Sequence, residues 1–216
     1  MKRLGVGSAA LALIGLAVPA GAQNGATWID ARGRMVSVAF AGSGEAPAPA
    51  DRPPAEMAAL FKRLCLDSGG GEEGLAQAAA AAGLTGKPFA VLNSRVNMNE
   101  TVPVVVWTGD GLAAARTDGF LGVGEAQCSA TFYVPTPPDK SAVTGALSEV
   151  LGVQPSNLSA ATDKKGKPKS NYAPEWTMAG PSGPLIVTAM VIKGINVPET
   201  QVQLSVRASK KPAKQG

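Results

Sequence analysis

The sequence predicts an α+β domain: an antiparallel sheet with about three helices packed on one face and one disulfide. Three observations lead there. Apolar residues recur at helical spacing in three bounded segments. Period-two alternation and β-branched runs dominate residues 88–134 and 172–206. Clusters of Gly, Pro and Asp mark the borders between these segments. With 216 residues, 45% of them hydrophobic, the chain suits one domain plus appendages and can bury a core.

Residues 1–22 read as a cleaved signal peptide. Lys2 and Arg3 precede an apolar stretch from Leu4 to Val18, and Ala20-Gly21-Ala22 supplies the small-residue exit. The apolar run is short for about 30 Å of hydrocarbon, and no later stretch is apolar for long enough to span a membrane. A periplasmic or secreted location is therefore expected. Residues 23–54 hold a short hairpin or edge strand around Met35–Phe40 and a Pro/Ala linker over residues 41–54, where repeated Pro disfavours helix and sheet alike.

The main domain is expected over residues 55–208. Pro53 and Pro54 suit the first turn of a helix, with Asp51 placed to help cap it. Met57, Leu60, Phe61, Leu64 and Cys65 form its stripe, and Ser68-Gly69-Gly70-Gly71 stops it. A second, alanine-rich helix runs from about Glu72 to Ala82 and ends at Gly83. From Pro88 the pattern turns to strands. Val102–Trp107 and Leu112–Arg116 flank a Gly-Asp-Gly turn and read as a hairpin. In Glu125–Val134, Cys128 shares a face with Phe132, and Tyr133 lies on the other. Asp139 and Ser141 open a third helix with Val143, Leu147, Val150 and Leu151 on its stripe and Gly152 past its end. Leu158–Ala161 and Tyr172–Met178 flank a lysine-rich loop and make it a hairpin tip. Leu185–Ile192 is the most apolar run and the expected central strand. Val202, Leu204 and Val206 alternate in a final strand, and residues 209–216 form a basic, flexible tail.

Cys65 and Cys128 make no C-x-x-C pair, and two isolated cysteines in an oxidising compartment most often form a structural disulfide. The chain has no His, which excludes Ser-His-Asp and Cys-His catalysis and the common catalytic zinc sites from these residues. Asp67-Ser68-Gly69-Gly70 matches part of a serine-protease nucleophile box, but without a histidine base it reads as a helix-end turn. Asp110, Asp118 and Glu125 sit among glycines without the alternating spacing of a calcium loop, so they read as turn residues. Asp67, Glu72, Glu73, Glu149 and Glu175 are the carboxylates open to a two-carboxylate hydrolase. Asn157-Leu158-Ser159 matches a glycan acceptor site. No cofactor, metal or catalytic residue is assigned.

The formal charge of +4 falls to +2 without Lys2 and Arg3. The loop around Lys164, Lys165, Lys167 and Lys169 carries +3 with Asp163, and Arg207, Lys210, Lys211 and Lys214 near the terminus carry +4, which leaves −5 on the remainder. The basic excess is thus local, and without interleaved aromatic residues it does not point to nucleic acid. Tyr133, Tyr172 and Trp176, with Lys164 and Lys165, are the candidate binding residues, since Tyr172-Ala173-Pro174-Glu175-Trp176 adjoins the lysine loop.

The run Leu60-Phe61-Lys62-Arg63-Leu64-Cys65-Leu66-Asp67-Ser68, the alanine-rich helix after it and a later strand cysteine resemble a group of small exported proteins of Gram-negative bacteria. Its members share a signal peptide, an F-x-x-x-C helix, a later cysteine and a sheet-rich second half. The likeness covers residues 55–135 and implies an envelope location, with no activity attached. The expected function is a non-enzymatic periplasmic protein that binds another envelope protein or a cell-wall polymer. The alternative is a carboxylate-based hydrolase of cell-wall glycan.

Overall fold

The computed structural model describes residues 25–29, 35–39, 47–68, 71–92, 101–117, 127–157, 173–181, 183–193 and 200–209. The signal-peptide segment, the lysine loop with Lys164, Lys165 and Tyr172, and residues 210–216 lie outside them. Two short strands, β1 (Gly25–Ile29) and β2 (Met35–Ala39), pair antiparallel as a separate sheet.

Helix α1 (Pro54–Phe61) begins with Pro53 at its N-cap, and Met57 N–H donates to the Pro53 carbonyl. Asp51 does not cap it: the helix has no side-chain cap, and its proline-built first turn lacks an N–H donor at Pro54. The chain continues as a π-helical turn over Lys62–Leu66, closed by Asp67 N–H to the Lys62 carbonyl at 2.9 Å. Met57, Phe61, Leu64 and Cys65 are buried, as their spacing requires, and Leu60 is half-buried. Helix α2 (Glu72–Ala81) approaches Ser68 so closely that a Cβ at Gly74 would lie 1.7 Å from the Ser68 carbonyl oxygen. Only glycine fits there.

The remaining elements are β3 (Thr85–Leu92), β4 (Thr101–Gly109), β5 (Leu112–Thr117), β6 (Gln127–Val134), α3 (Lys140–Leu151), β7 (Glu175–Gly180), β8 (Gly183–Lys193) and β9 (Thr200–Ala208). Strands β3 to β9 form one antiparallel seven-stranded sheet in the order 3-4-5-6-9-8-7. Two three-stranded meanders, β4–β5–β6 and β7–β8–β9, therefore meet last strand to last strand, and β3 extends the first. Asp110 (φ 44°) and Gly111 (φ 67°) make the two-residue turn between β4 and β5, both in the left-handed region that a type I′ hairpin turn demands. Asp139 caps α3 by accepting the Ser141 N–H at 2.8 Å, and Gly152 (φ 70°) ends it.

Three boundaries differ from the sequence reading. The central strand is β6, whereas β8, the most apolar run, lies next to the β7 edge. Within β6 every residue from Cys128 to Val134 is buried, including Ser129 and Thr131, whereas β8 buries only Val187 and Ala189 among its described side chains. Centrality here goes to a strand with small residues on both faces, which composition alone does not rank. Strand β3 starts at Thr85, ahead of Pro88; the proline is tolerated because β3 is the sheet edge. Arg207, grouped with the tail by charge, belongs to β9.

One contiguous core joins the helices to alternate strand positions. Met57, Phe61, Leu64, Leu75, Val143 and Leu147 from the helical segments cluster with Leu112, Cys128, Phe132, Trp176, Val187 and Leu204 from the sheet. Cys65 in the π-turn and Cys128 in β6 are bonded across this layer, with their Cα atoms 5.5 Å apart.

Candidate functional site

The segment before α1 builds one wall of a groove. Ala50 N–H donates to the Tyr133 carbonyl at 3.0 Å, and Tyr133 N–H donates to the Gly111 carbonyl at 2.7 Å, so this segment is laced to β6 and the β4–β5 turn. A Cβ at Gly111 would fall 2.8 Å from both the Ala50 nitrogen and its Cβ, and the residue's φ is positive, so glycine is needed twice over.

This lacing brings Arg52 to the turn. Its Nη2 donates to the Asp110 Oδ2 at 2.8 Å and to the Asp110 carbonyl at 3.0 Å, while Nη1 donates to the Glu56 carboxylate. The Arg52 side chain is only 9% exposed. One guanidinium thus fixes the start of α1 to the β4–β5 turn, with the forked geometry that suits arginine to two acceptors.

Beside this clamp lies a groove of about 370 Å³. Leu60, Leu84 and Leu112 supply apolar lining, and the small Ala59, Ala81 and Ala82 leave room between α1 and the end of α2. Arg63, exposed on the π-turn, also lines it. Arg63 has neither an ion pair nor a hydrogen-bond partner among the described residues, in contrast to Arg52. The volume falls within the range of about 300–1,000 Å³ usual for small-molecule sites, which combine apolar walls with a few placed polar groups. Leu84 and Leu112 are themselves buried, so much of the exposed lining is polar. The groove's two carboxylates, Glu56 and Asp110, are both engaged by Arg52.

The residues singled out from the sequence go elsewhere. Trp176 is fully buried and donates its Nε1–H to the Ser148 hydroxyl at 3.1 Å, so it belongs to the core and not to an open binding face. Tyr133 is 3% exposed and likewise offers no free surface. Lys164, Lys165 and Tyr172 lie outside the described residues, as do Asp118 and Glu125. Cys65 and Cys128 are paired with each other.

Asp67 accepts the Lys62 ammonium at 2.8 Å, and Ser68 Oγ donates to the Leu64 carbonyl at 2.7 Å, which is the bonding of a helix end. Glu72 and Glu73 open α2, Glu149 lies in α3 and Glu175 begins β7. Among the described residues no group of three His, Cys, Asp or Glu is placed to hold a metal. Asn157 is occupied at both ends of its amide: Nδ2 donates to the Ala173 carbonyl and Oδ1 accepts the Glu175 N–H.

The groove residues escaped the sequence reading because they come from three separate segments. The one local signal was the Arg52–Glu56 spacing, which puts opposite charges one helical turn apart. No family model, curated protein or solved structure matches the chain.

Proposed function

We propose that this is a non-enzymatic periplasmic protein that binds another component of the cell envelope, and that the Leu60–Leu84–Leu112 groove is where it binds. The observation that carries this reading is the clamped groove itself: a recess between α1, the end of α2 and the β4–β5 turn, whose wall is held by a nearly buried arginine bonded to both Glu56 and Asp110. The disulfide agrees with an oxidising compartment, where such bonds persist. Among the described residues no helix is long and apolar enough to cross a membrane.

The test is photo-crosslinking in intact cells, with a benzophenone amino acid at Leu60 and, separately, at the exposed Val153 just past the end of α3. Adducts of one defined mass from Leu60, absent from Val153, are expected. If both positions give the same adducts, or Leu60 gives none, the groove is not the binding site. Product release from purified cell wall, abolished by a single Asp or Glu substitution in a folded variant, would replace this reading with the hydrolase.

A further inference from the structure

We infer that the β7 edge of the sheet is a self-association surface, where a second copy of this chain pairs its own β7 antiparallel across a two-fold axis at Met178. The two edges of the sheet are built differently. Strand β3 carries Lys87 and Pro88, both exposed, and a charge beside a missing N–H discourages a further strand. Strand β7 has neither charge nor proline from Trp176 to Gly180. Its bonds reveal which groups point outward. The Glu175 carbonyl accepts the Ser156 N–H at 2.7 Å, and the Glu175 N–H donates to Asn157 Oδ1 at 2.9 Å, so this residue faces away from β8. Bonded and non-bonded positions alternate along an antiparallel pair, so Thr177 and Ala179 face outward too. Ala179 indeed lies opposite Pro184, which has no N–H to offer it. Both residues are exposed, and their outward N–H and C=O groups have no partner among the described residues.

The length of this open stretch selects the occupant. A longer foreign strand would have to displace Ser156 and Asn157 from Glu175. A second β7 does not: with Met178 opposite the partner's Met178, Thr177 falls opposite the partner's Ala179, and Ala179 opposite the partner's Thr177. Each of these pairs exchanges both of its bonds, so no outward group is left over. The partner strand ends at its Gly180, opposite Trp176 and short of Glu175. The half-buried Met178 side chains meet on the axis, at a non-bonded pair, where side chains approach most closely.

So small a contact is weak, and the test is sedimentation equilibrium of the oxidised protein purified from cells, from micromolar to millimolar concentration, with amide exchange followed by NMR. A reversible dimer is expected, in which the Thr177 and Ala179 amides exchange more slowly as concentration rises and the β3 amides do not. Thr177→Pro removes one outward N–H and leaves every β7–β8 bond in place. The two-fold axis doubles that loss, so association should weaken about tenfold or more. Thr177→Lys guards β7 as Lys87 guards β3; it should weaken association as well, and it decides the matter if the proline variant does not fold. Thr177→Val keeps the N–H and should keep the dimer. A monomer throughout the range would overturn the assignment. So would a dimer whose affinity survives Thr177→Lys, or whose concentration-dependent protection lies away from β7.

Discussion

In the half of the molecule from α1 to β6, the helical layer is joined to the sheet by a covalent bond, Cys65 to Cys128. In the half from α3 to β9 the same junction is a hydrogen bond inside a packed core, from Trp176 on β7 to Ser148 on α3. The strand surroundings of the two junctions differ as well. Each meander opens on a strand with a tryptophan. Trp107 pairs with Ala114, which pairs with Ala130, whereas Trp176 pairs with Val187, which pairs with Val206. Trp107 is half-buried and Trp176 fully buried. The alanines are confined to the strand positions beside Trp107; the helices of this half still bury Met57, Phe61, Leu64 and Leu75 against Leu112 and Phe132. The crosslink adds to that packing. The second half has no cysteine, and the indole N–H it buries is satisfied by Ser148.

The contrast can be broken at several points. The largest effect is expected from the Cys65→Ser/Cys128→Ser double variant. Its native link spans 63 residues, and the chain-entropy relation gives a loss of about 4 kcal/mol. Urea unfolding should register the loss, and hydrogen exchange should place it mainly in α1 and α2. Equal loosening of α3 would dissolve the division between the halves. Ser148→Ala attacks the other junction by leaving the Trp176 N–H buried without an acceptor, at a cost of about 1–3 kcal/mol. If Ser148→Ala leaves the urea midpoint unchanged, the hydrogen bond is incidental.

Between the halves lies Gln203 on β9, paired in register with Thr131 of β6. It is 4% exposed, and neither its amide oxygen nor its nitrogen has a partner. Gln203→Met keeps the length and removes both unsatisfied groups, and is expected to raise stability by about 1 kcal/mol. A lower thermal midpoint would show that the amide serves a contact.

The smallest effect concerns the α3 cap. The Ser141 backbone N–H, then the Ser141 hydroxyl, holds the Asp139 carboxyl below its ordinary value of 3.8. A depressed folded-state pKa gives a contribution that is complete above the unfolded value and lost as pH falls through the folded one. Hydrogen exchange of the first α3 turn should therefore accelerate as pH drops below about 4, relative to the intrinsic rate. Asp139→Asn should keep the cap and flatten that dependence. A dependence that survives the substitution would assign it to another group.

Local signals placed most elements. The Asp110-Gly111 turn, the Asp139 cap and the Gly152 stop each state their geometry in one or two residues, and the strands and helices around them lie where the pattern puts them. Long-range order was less legible. The period-two face of β6 put Cys128 beside Phe132 in the core, but nothing local tells that Tyr133, on the other face, is also covered. The meeting of β6 with β9 joins strands separated by a helix and a hairpin, information that resides in the summed packing of both halves. The groove shares that origin, since Arg52, Leu84 and Asp110 become neighbours only once the β4–β5 turn meets the segment before α1.

The pairing of β6 with β9 also has a consequence for assembly. Both cysteines belong to the first half, so the bond between the π-helical turn and β6 can form before the chain beyond has folded. Strand β6 meanwhile presents an unpaired edge, open to pairing with the wrong chain, until β9 arrives to cover it. A covalent link formed by then would hold the vulnerable strand in place through that interval. Loss of the disulfide should for this reason lower the yield of correctly assembled protein by more than equilibrium stability alone accounts for.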